Sequence, residues 1–128
     1  MNYEERIDDR RGIIFVKTTG TLIREKLGPA AAATRAKAKE LNYVLLFDFS
    51  ESDNYLSLVD AVNWFKDYYD PIDTSLRHIR SAHLVGEQTE DFFQFVETAW
   101  LNRGGYVKVF RDEQSALEWL LGKERQSE

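Results

Sequence analysis

One unbroken apolar run near the middle of the chain constrains the fold more than any other feature. Residues 43–47 are all aliphatic or aromatic, and the run stops at Asp48. A strand whose sheet is covered on both faces needs apolar side chains on both sides, so the run predicts a central strand of an α/β fold. The turn formers at 48–54 predict a loop at its carboxyl end, where ligands of open α/β sheets gather.

Strand and helix patterns alternate along the rest of the chain. Segments 3–7 and 13–19 flank a polar turn and predict a hairpin, and further strands are expected at 79–86 and 106–110. Helices are expected within 22–41, 58–69, 90–101 and 113–121. The order β-β-α-β-α-β-α-β-α predicts a mixed, mostly parallel five-stranded sheet with about four helices. We expect one domain over 1–122 and a polar tail over 123–128.

Particular residues predict where the helices begin and end. Polar side chains are expected to cap four helices: Thr21, Ser57, Thr89 and Asp112. Pro29, directly after Gly28, is expected to interrupt the first helix and restart it. Asn42 and Gly122 are expected to end helices. The second helix has one expected core stripe, formed by Leu58, Ala61, Val62, Phe65 and Tyr69.

Charge and composition exclude several classes of protein. The chain has 22 acidic and 17 basic residues and a formal net charge of -5. Nucleic-acid binders usually have a basic face, so we expect no nucleic-acid partner. The amino terminus is polar and acidic, and no apolar run approaches the ~20 residues of a membrane span. We therefore expect a cytoplasmic protein with no membrane span.

Motifs for catalysis and cofactor binding are absent. The sequence has no phosphate loop, no Gly-x-Gly-x-x-Gly, no Gly-x-Ser-x-Gly and no cysteine. We expect no cofactor, no catalytic residue and no enzymatic activity. A metal site would need the fold to bring His78 and His83 to one of three acids: Asp67, Asp70 or Asp73. Their spacing does not require this, so no metal site is expected.

Aromatic residues are more numerous in two helices than one apolar stripe requires. The candidate ligand or partner surface is formed by Trp64, Phe65, Tyr68, Tyr69, Phe93 and Trp100. These side chains could line a cavity for a small hydrophobic ligand, form the face of a homodimer or bury one another in the core. The sequence leaves the three alternatives open, and we expect self-association.

Two segments resemble a known family. Residues 45–50 resemble the central strand and aspartate of the STAS fold, named for sulfate transporters and anti-sigma-factor antagonists. Residues 79–86 and 107–110, followed by an Ala-Leu-x-Trp-Leu pattern at 116–120, resemble its SpoIIAA-like branch. The resemblance implies a STAS-like regulatory or protein-interaction module. The similarity of that fold to CRAL-TRIO lipid carriers implies an alternative, a carrier or sensor of a small hydrophobic or lipid-like ligand.

The same resemblance identifies a weak candidate for a switch. Anti-sigma antagonists carry Asp-Ser-Ser-Gly after the central strand, and a partner kinase phosphorylates the first serine. Alignment on Asp48 places Ser57 at that serine, but the preceding acid, the second serine and the glycine are missing. We therefore expect Ser57 to act as a helix cap rather than as a phosphorylation site.

Overall fold

A sheet of six strands runs through the residues that the computed structural model describes, 1–71 and 74–122. The strands are β1 (Asn2–Asp8), β2 (Ile13–Thr21), β3 (Val44–Asp48), β4 (Ser52–Asp53), β5 (Ser81–Leu84) and β6 (Val107–Phe110). The order across the sheet is β1-β2-β3-β5-β6, and β4 pairs with the end of β2. Only the β1–β2 pair is antiparallel among these strands. The predicted mixed, mostly parallel sheet is confirmed.

Four α-helices cover the two faces of the sheet unequally. They are α1 (Arg24–Leu41), α2 (Leu58–Trp64), α3 (Glu90–Asn102) and α4 (Glu113–Leu121). A π-helix, Phe65–Tyr69, continues α2, and a 3-10 helix spans Thr74–His78. The core on one face joins α1, α2 and α3 to inward residues of the sheet such as Leu45 and Phe47. The other core joins α4 to Leu46 and Ala82. None of the helices in the described part of the chain could cross a membrane.

The start of α1 differs from the prediction. The helix begins at Arg24 after Ile23, which makes no side-chain cap, and Thr21 belongs to β2. Pro29 lies inside a continuous helix instead of restarting it. The N–H that proline lacks would have bonded to the carbonyl of Glu25 in the first turn, so the interruption costs one bond close to the helix end.

The segment from α2 onward also departs from its predicted pattern. Leu58 and Val62, expected in the core, are each 58% exposed, whereas Ala61 is buried. The π-helix is closed by Asp70 N donating to the carbonyl of Phe65 at 2.7 Å. The inner side of α2 and the π-helix consequently contains large side chains, with Trp64 beside Phe65. The outer side of α2 stays apolar.

Two further details of the prediction are wrong, and four are confirmed. The sheet has a sixth strand, β4, because the turn-rich loop pairs briefly with β2. Thr89 Oγ1 accepts from Gly86 N and donates to the carbonyl of Phe49, so it ties two loops together instead of capping α3. Ser57 and Asp112 do cap their helices, and the predicted helix ends are confirmed by left-handed backbones at Asn42 and Gly122. The predicted tail, 123–128, lies outside the described residues.

Candidate functional site

A narrow cavity lies between the sheet and the three helices on its more covered face. Its volume is about 20 Å³, room for about one water molecule. Most of its wall is apolar and comprises Leu27, Ala31, Phe47, Phe49, Trp64, Phe92 and Phe93. Four ionisable residues also line it: Arg24, Arg35, Asp60 and His83. An apolar enclosure with a few polar groups is the usual form of a small-molecule site.

Stacked rings fix the sheet side of the cavity. Phe49 follows β3 and stacks on Phe93 of α3 with 4.0 Å between ring centroids. Phe49 also stacks on Phe47, at 5.9 Å. Pairs of this kind contribute roughly 0.5–1.5 kcal/mol each beyond their buried area. These pairs stabilise the sheet side of the cavity.

Trp64 forms the opposite wall, at the end of α2. Its half-buried ring lies edge-on to Trp100 at 6.3 Å and also lines a second cavity of about 10 Å³. Beside it, Tyr68 packs against Gly28, where an added Cβ would lie 2.3 Å from the tyrosine ring. The wall thus rests on α1 at a position where only a glycine leaves room.

Arg35 extends from α1 into this layer, and no carboxylate of the described residues pairs with it. The residue is 3% exposed, and its Nη1 donates to Ser81 Oγ of β5 at 3.0 Å. Its Cζ lies 4.0 Å from the ring centroid of Trp100, a cation–π contact. Arg35 forms no ion pair among the described residues. Burial lowers the pKa of Arg35 to about 9, so the guanidinium still carries its charge at neutral pH.

His83 lies in the same cavity, among aromatic rings. The residue is 3% exposed, and its ring meets those of Phe47, Phe49 and Phe93 edge-on at 5.4–5.7 Å. Its Nδ1 has no hydrogen-bond partner among the described residues. Burial, together with the nearby charge of Arg35, lowers the pKa of His83 to about 3. The imidazole is therefore neutral at neutral pH.

Two indole groups add further donors to the layer. Nε1 of Trp64 and Nε1 of Trp100 are buried and have no acceptor within the part of the chain that the structure describes. Indole N–H can only donate, and a buried donor without an acceptor costs roughly 1–3 kcal/mol. Together with Arg35, these groups give the layer an excess of donors. Such an arrangement favours a ligand that supplies acceptors.

Polar contacts of two lining residues, Arg24 and Asp60, hold the α2 wall in place. Arg24 Nη1 donates to Asp67 Oδ2 at 2.8 Å and joins the first turn of α1 to the π-helix. Ser57 N donates to Asp60 Oδ2 at 2.8 Å, and Asp60 N donates to Ser57 Oγ at 3.2 Å. The hydrogen bonds from Ser57 lower the pKa of Asp60. Exposed contacts of this kind contribute about 1 kcal/mol or less each, so this wall is held weakly.

Comparison with known proteins decides the fold. No protein-family model matches the sequence, and no curated protein matches it. The structure is similar to that of an uncharacterised protein from the DUF3478 family with a SpoIIAA-like fold, from Shewanella loihica PV-4. The TM-score is 0.53 at 19% sequence identity, over 93% of this chain and 92% of that one. The chain has a SpoIIAA-like fold. The resemblance drawn from the sequence is thereby confirmed at the level of fold.

Within the SpoIIAA-like fold, the six predicted aromatic residues face inward. Phe65, Tyr69, Phe93 and Trp100 are each 1% exposed. Tyr69 and Trp100 meet edge-on with 4.0 Å between centroids, so these rings largely bury one another. Trp64 and Phe93 also line the main cavity, and Tyr68 lines the smaller one. Their part in ligand or partner binding remains a prediction.

The two candidate switch residues lie outside this cavity. Asp48 Oδ1 accepts from Ser50 N at 2.9 Å and from Ser50 Oγ at 2.6 Å, which closes the turn after β3. Ser57 is exposed and caps α2. Both side chains thus have structural contacts. That Ser57 is not a phosphorylation site remains a prediction.

The residues weighed as metal ligands do not come together where the structure describes them. His78 is exposed and lies 6.2 Å from the ring of Tyr106, whereas His83 is buried. Asp70 accepts from Arg103 Nε at 3.2 Å, and Asp67 pairs with Arg24. Asp73 lies outside the described residues. Residues 1–71 and 74–122 contain no group of three or more potential metal ligands.

The sequence analysis did not identify Arg35 as a site residue. A usable signal was present, because Arg35 falls on the apolar stripe of α1 at helical spacing from Ala31 and Ala38. A charged residue on a buried stripe predicts an internal partner or an internal ligand. The isolation of His83 among aromatic rings depends on long-range packing, which the sequence does not show.

Proposed function

We propose that this chain is a non-enzymatic regulatory module of the STAS-like type, which binds a small, mostly apolar ligand and signals binding through α2. The observation that carries the proposal is the aromatic cavity, one wall of which is α2. Trp64 lies on the inner side of that helix, while Val59 and Val62 are 68% and 58% exposed on its outer side. One short helix therefore joins the cavity to a surface available to a partner.

Ligand entry in this proposal requires the α2 wall to move. A cavity of about 20 Å³ accommodates about one water, so any larger ligand must displace Trp64 outward. The α-helical part of the wall has seven residues and continues as a five-residue π-helix. Short helices and π turns are less stable than long α-helices such as α1. The wall is therefore the element that would move first.

The polar groups in the cavity support binding rather than catalysis. His83 has a pKa of about 3, which makes it a poor general base at neutral pH. Arg35 contacts Ser81, but no acid or base in the described residues activates that hydroxyl as a nucleophile, because Ser81 Oγ donates to the carbonyl of Ile79 at 3.3 Å. These groups can orient a ligand without acting on it.

A neutral ligand and two variants, in each of which one alanine of α1 is replaced by phenylalanine, test the cavity. We expect 1-hexanol to bind wild-type protein saturably at one site, measured by calorimetry and by tryptophan fluorescence. Ala31→Phe fills the cavity wall and should weaken binding at least ~10-fold. Ala33→Phe is the matched control, since Ala33 is exposed on the same helix. Equal loss in both variants would refute the proposal, and so would the absence of saturable binding both for 1-hexanol and for the carboxylate with the same tail, hexanoate.

The exposed side of α2 supports a second function, self-association. Four apolar residues around the start of this helix are 58–82% exposed: Tyr55, Leu58, Val59 and Val62. Apolar side chains grouped in this way favour a protein contact. Light scattering after size exclusion should detect a dimer that Val59→Lys with Val62→Glu dissociates. A strict monomer at high concentration would count against this function.

A further inference from the structure

Arg35 has a binding capacity that the protein itself leaves largely unused. Its guanidinium carries five N–H donors, and among the described residues it makes one hydrogen bond, to Ser81. The side chain lies at 3% exposure against the ring of Trp100, so water does not readily replace a missing partner. A buried cation in this setting needs a negative charge to offset its desolvation.

His83 supplies a second polar group at the same place. Its Nδ1 is buried without a partner among the described residues, although the ring lines the cavity beside Arg35. A neutral imidazole has one N–H donor and one acceptor nitrogen. Guanidinium and imidazole can therefore donate to the same acceptor group.

We propose that Arg35 and His83 form the head-group end of the cavity and bind the carboxylate of a small ligand with an apolar tail. This inference rests on the proposed function, because it assigns the ligand class of the same cavity. The planar carboxylate matches the fork of the guanidinium, and the tail lies against the rings of Phe49 and Phe93. Trp64 covers the tail from the side of α2.

Charge balance selects a monoanion over a dianion. At neutral pH Arg35 is the charged group at the inner end of the cavity, since His83 is neutral. The acid that lines the cavity, Asp60, is already bonded to Ser57, and Arg24 is paired with Asp67. A carboxylate leaves the buried pair neutral, whereas a phosphate monoester brings a charge of roughly -1.5 to -2 and leaves an excess of negative charge.

Three ligands with the same tail separate this inference from the proposed function. We expect hexanoate to bind at least ~10-fold more tightly than 1-hexanol, because a charge-assisted hydrogen bond contributes about that much. Hexyl phosphate should bind more weakly than hexanoate. Equal binding of hexanoate and 1-hexanol would overturn the head-group assignment but not the apolar site. Tighter binding of hexyl phosphate than of hexanoate would overturn the preference for a monoanion. Binding of neither hexanoate nor hexanol would overturn both proposals.

A pair of arginine variants assigns the effect to Arg35. Arg35→Met should abolish the preference for hexanoate over 1-hexanol. Arg80→Met is the matched control, because Arg80 also lies over a tryptophan, with Cζ 4.6 Å from the ring of Trp119, and donates to the carbonyl of Trp119 at 2.7 Å. Arg80 does not line the cavity, and its variant should keep the preference. An unchanged preference in Arg35→Met would overturn the assignment.

Imidazole signals in wild-type protein give a test that needs no variant to fold. The sequence has two histidines, and His78 is exposed, so the ¹⁵N resonances of the two rings are readily told apart. Hexanoate should shift the resonances of His83, while 1-hexanol at equal occupancy should leave its ring nitrogens nearly unchanged. Shifts of equal size with both ligands, or none with hexanoate, would overturn the role of His83.

Discussion

Replacing Arg35 by methionine should leave the ligand-free protein as stable as wild type or make it more stable. Burial lowers the pKa of Arg35 well below its ordinary value, to about 9, so the fold disfavours the charged guanidinium by about 5 kcal/mol, at ~1.36 kcal/mol per pKa unit. Methionine is unbranched, so it can follow the path of the arginine stem, and it carries no charge. The variant therefore removes the largest unfavourable contribution of this side chain.

The substitution also removes favourable contacts, which limits the gain. The cation–π contact with Trp100 contributes about 2 kcal/mol when it is desolvated. The hydrogen bond from Arg35 to Ser81 contributes roughly 1.5–3 kcal/mol because its donor is charged. Ser81 keeps a partner in the carbonyl of Ile79. We expect a change in the free energy of unfolding between zero and a gain of about 1.5 kcal/mol, which is what remains of about 5 kcal/mol after the two lost contacts are subtracted.

Urea denaturation followed by circular dichroism at pH 7.5 measures this change. Arg80→Met is the comparison, and it should lose about 1 kcal/mol, because a helix carbonyl loses its charged donor. A loss of about 3–5 kcal/mol in Arg35→Met would refute the reasoning, since that is the cost of breaking a buried ion pair. Such a result would make Arg35 a structural residue with an internal partner.

Three other outcomes follow from the same contacts. The folded state keeps His83 neutral down to pH about 3, whereas the unfolded state protonates it near pH 6.5, so the free energy of unfolding should fall as pH drops from 6.5 towards 3. Paired urea titrations should show a loss of about 2 kcal/mol by pH 5 in wild type and none in His83→Phe. Gly28→Ala should destabilise the fold by about 1–3 kcal/mol despite the better helix propensity of alanine, because Tyr68 has to move; equal or higher stability would contradict the packing described. Ser57→Ala should lose about 1 kcal/mol and Ser57→Thr less, and equal stability of all three proteins would show that the cap does not matter.

The fold was predictable because its signals are local or periodic. The apolar run at 43–47, the alternation of strands with helices and the caps at Ser57 and Asp112 each depend on neighbouring residues. The errors fall where distant contacts override local preference. Pro29 stays within α1, and β4 exists because a polar loop reaches β2. Spacing alone cannot predict such pairings.

The cavity was less predictable, because its polar end comes from separate parts of the chain. Arg35 meets Ser81 across 46 positions, and His83 is enclosed by rings from β3 and α3. The surplus of aromatic residues was visible in the sequence, but the sequence did not show whether these side chains face inward or outward. Apolar periodicity favoured Leu58 and Val62 as core residues together with Phe65, whereas Trp64 instead lies beside Phe65 in that layer. When two apolar stripes compete on one helix, buried area decides between them.

The burial of Arg35 and the apolar outer side of α2 both support a ligand in this cavity. A core that only had to fold would not need a buried cation for which the described residues supply no carboxylate. A helix that only covered a core would not need Val59 and Val62 on its outer side. A ligand that brings a carboxylate to Arg35 resolves the first problem. Its tail must then occupy space that Trp64 now fills, which displaces the helix that carries the outer residues. In Arg35→Met, any effect of hexanoate on self-association should therefore require at least ~10-fold more hexanoate, and a response at the wild-type concentration would separate the two sites.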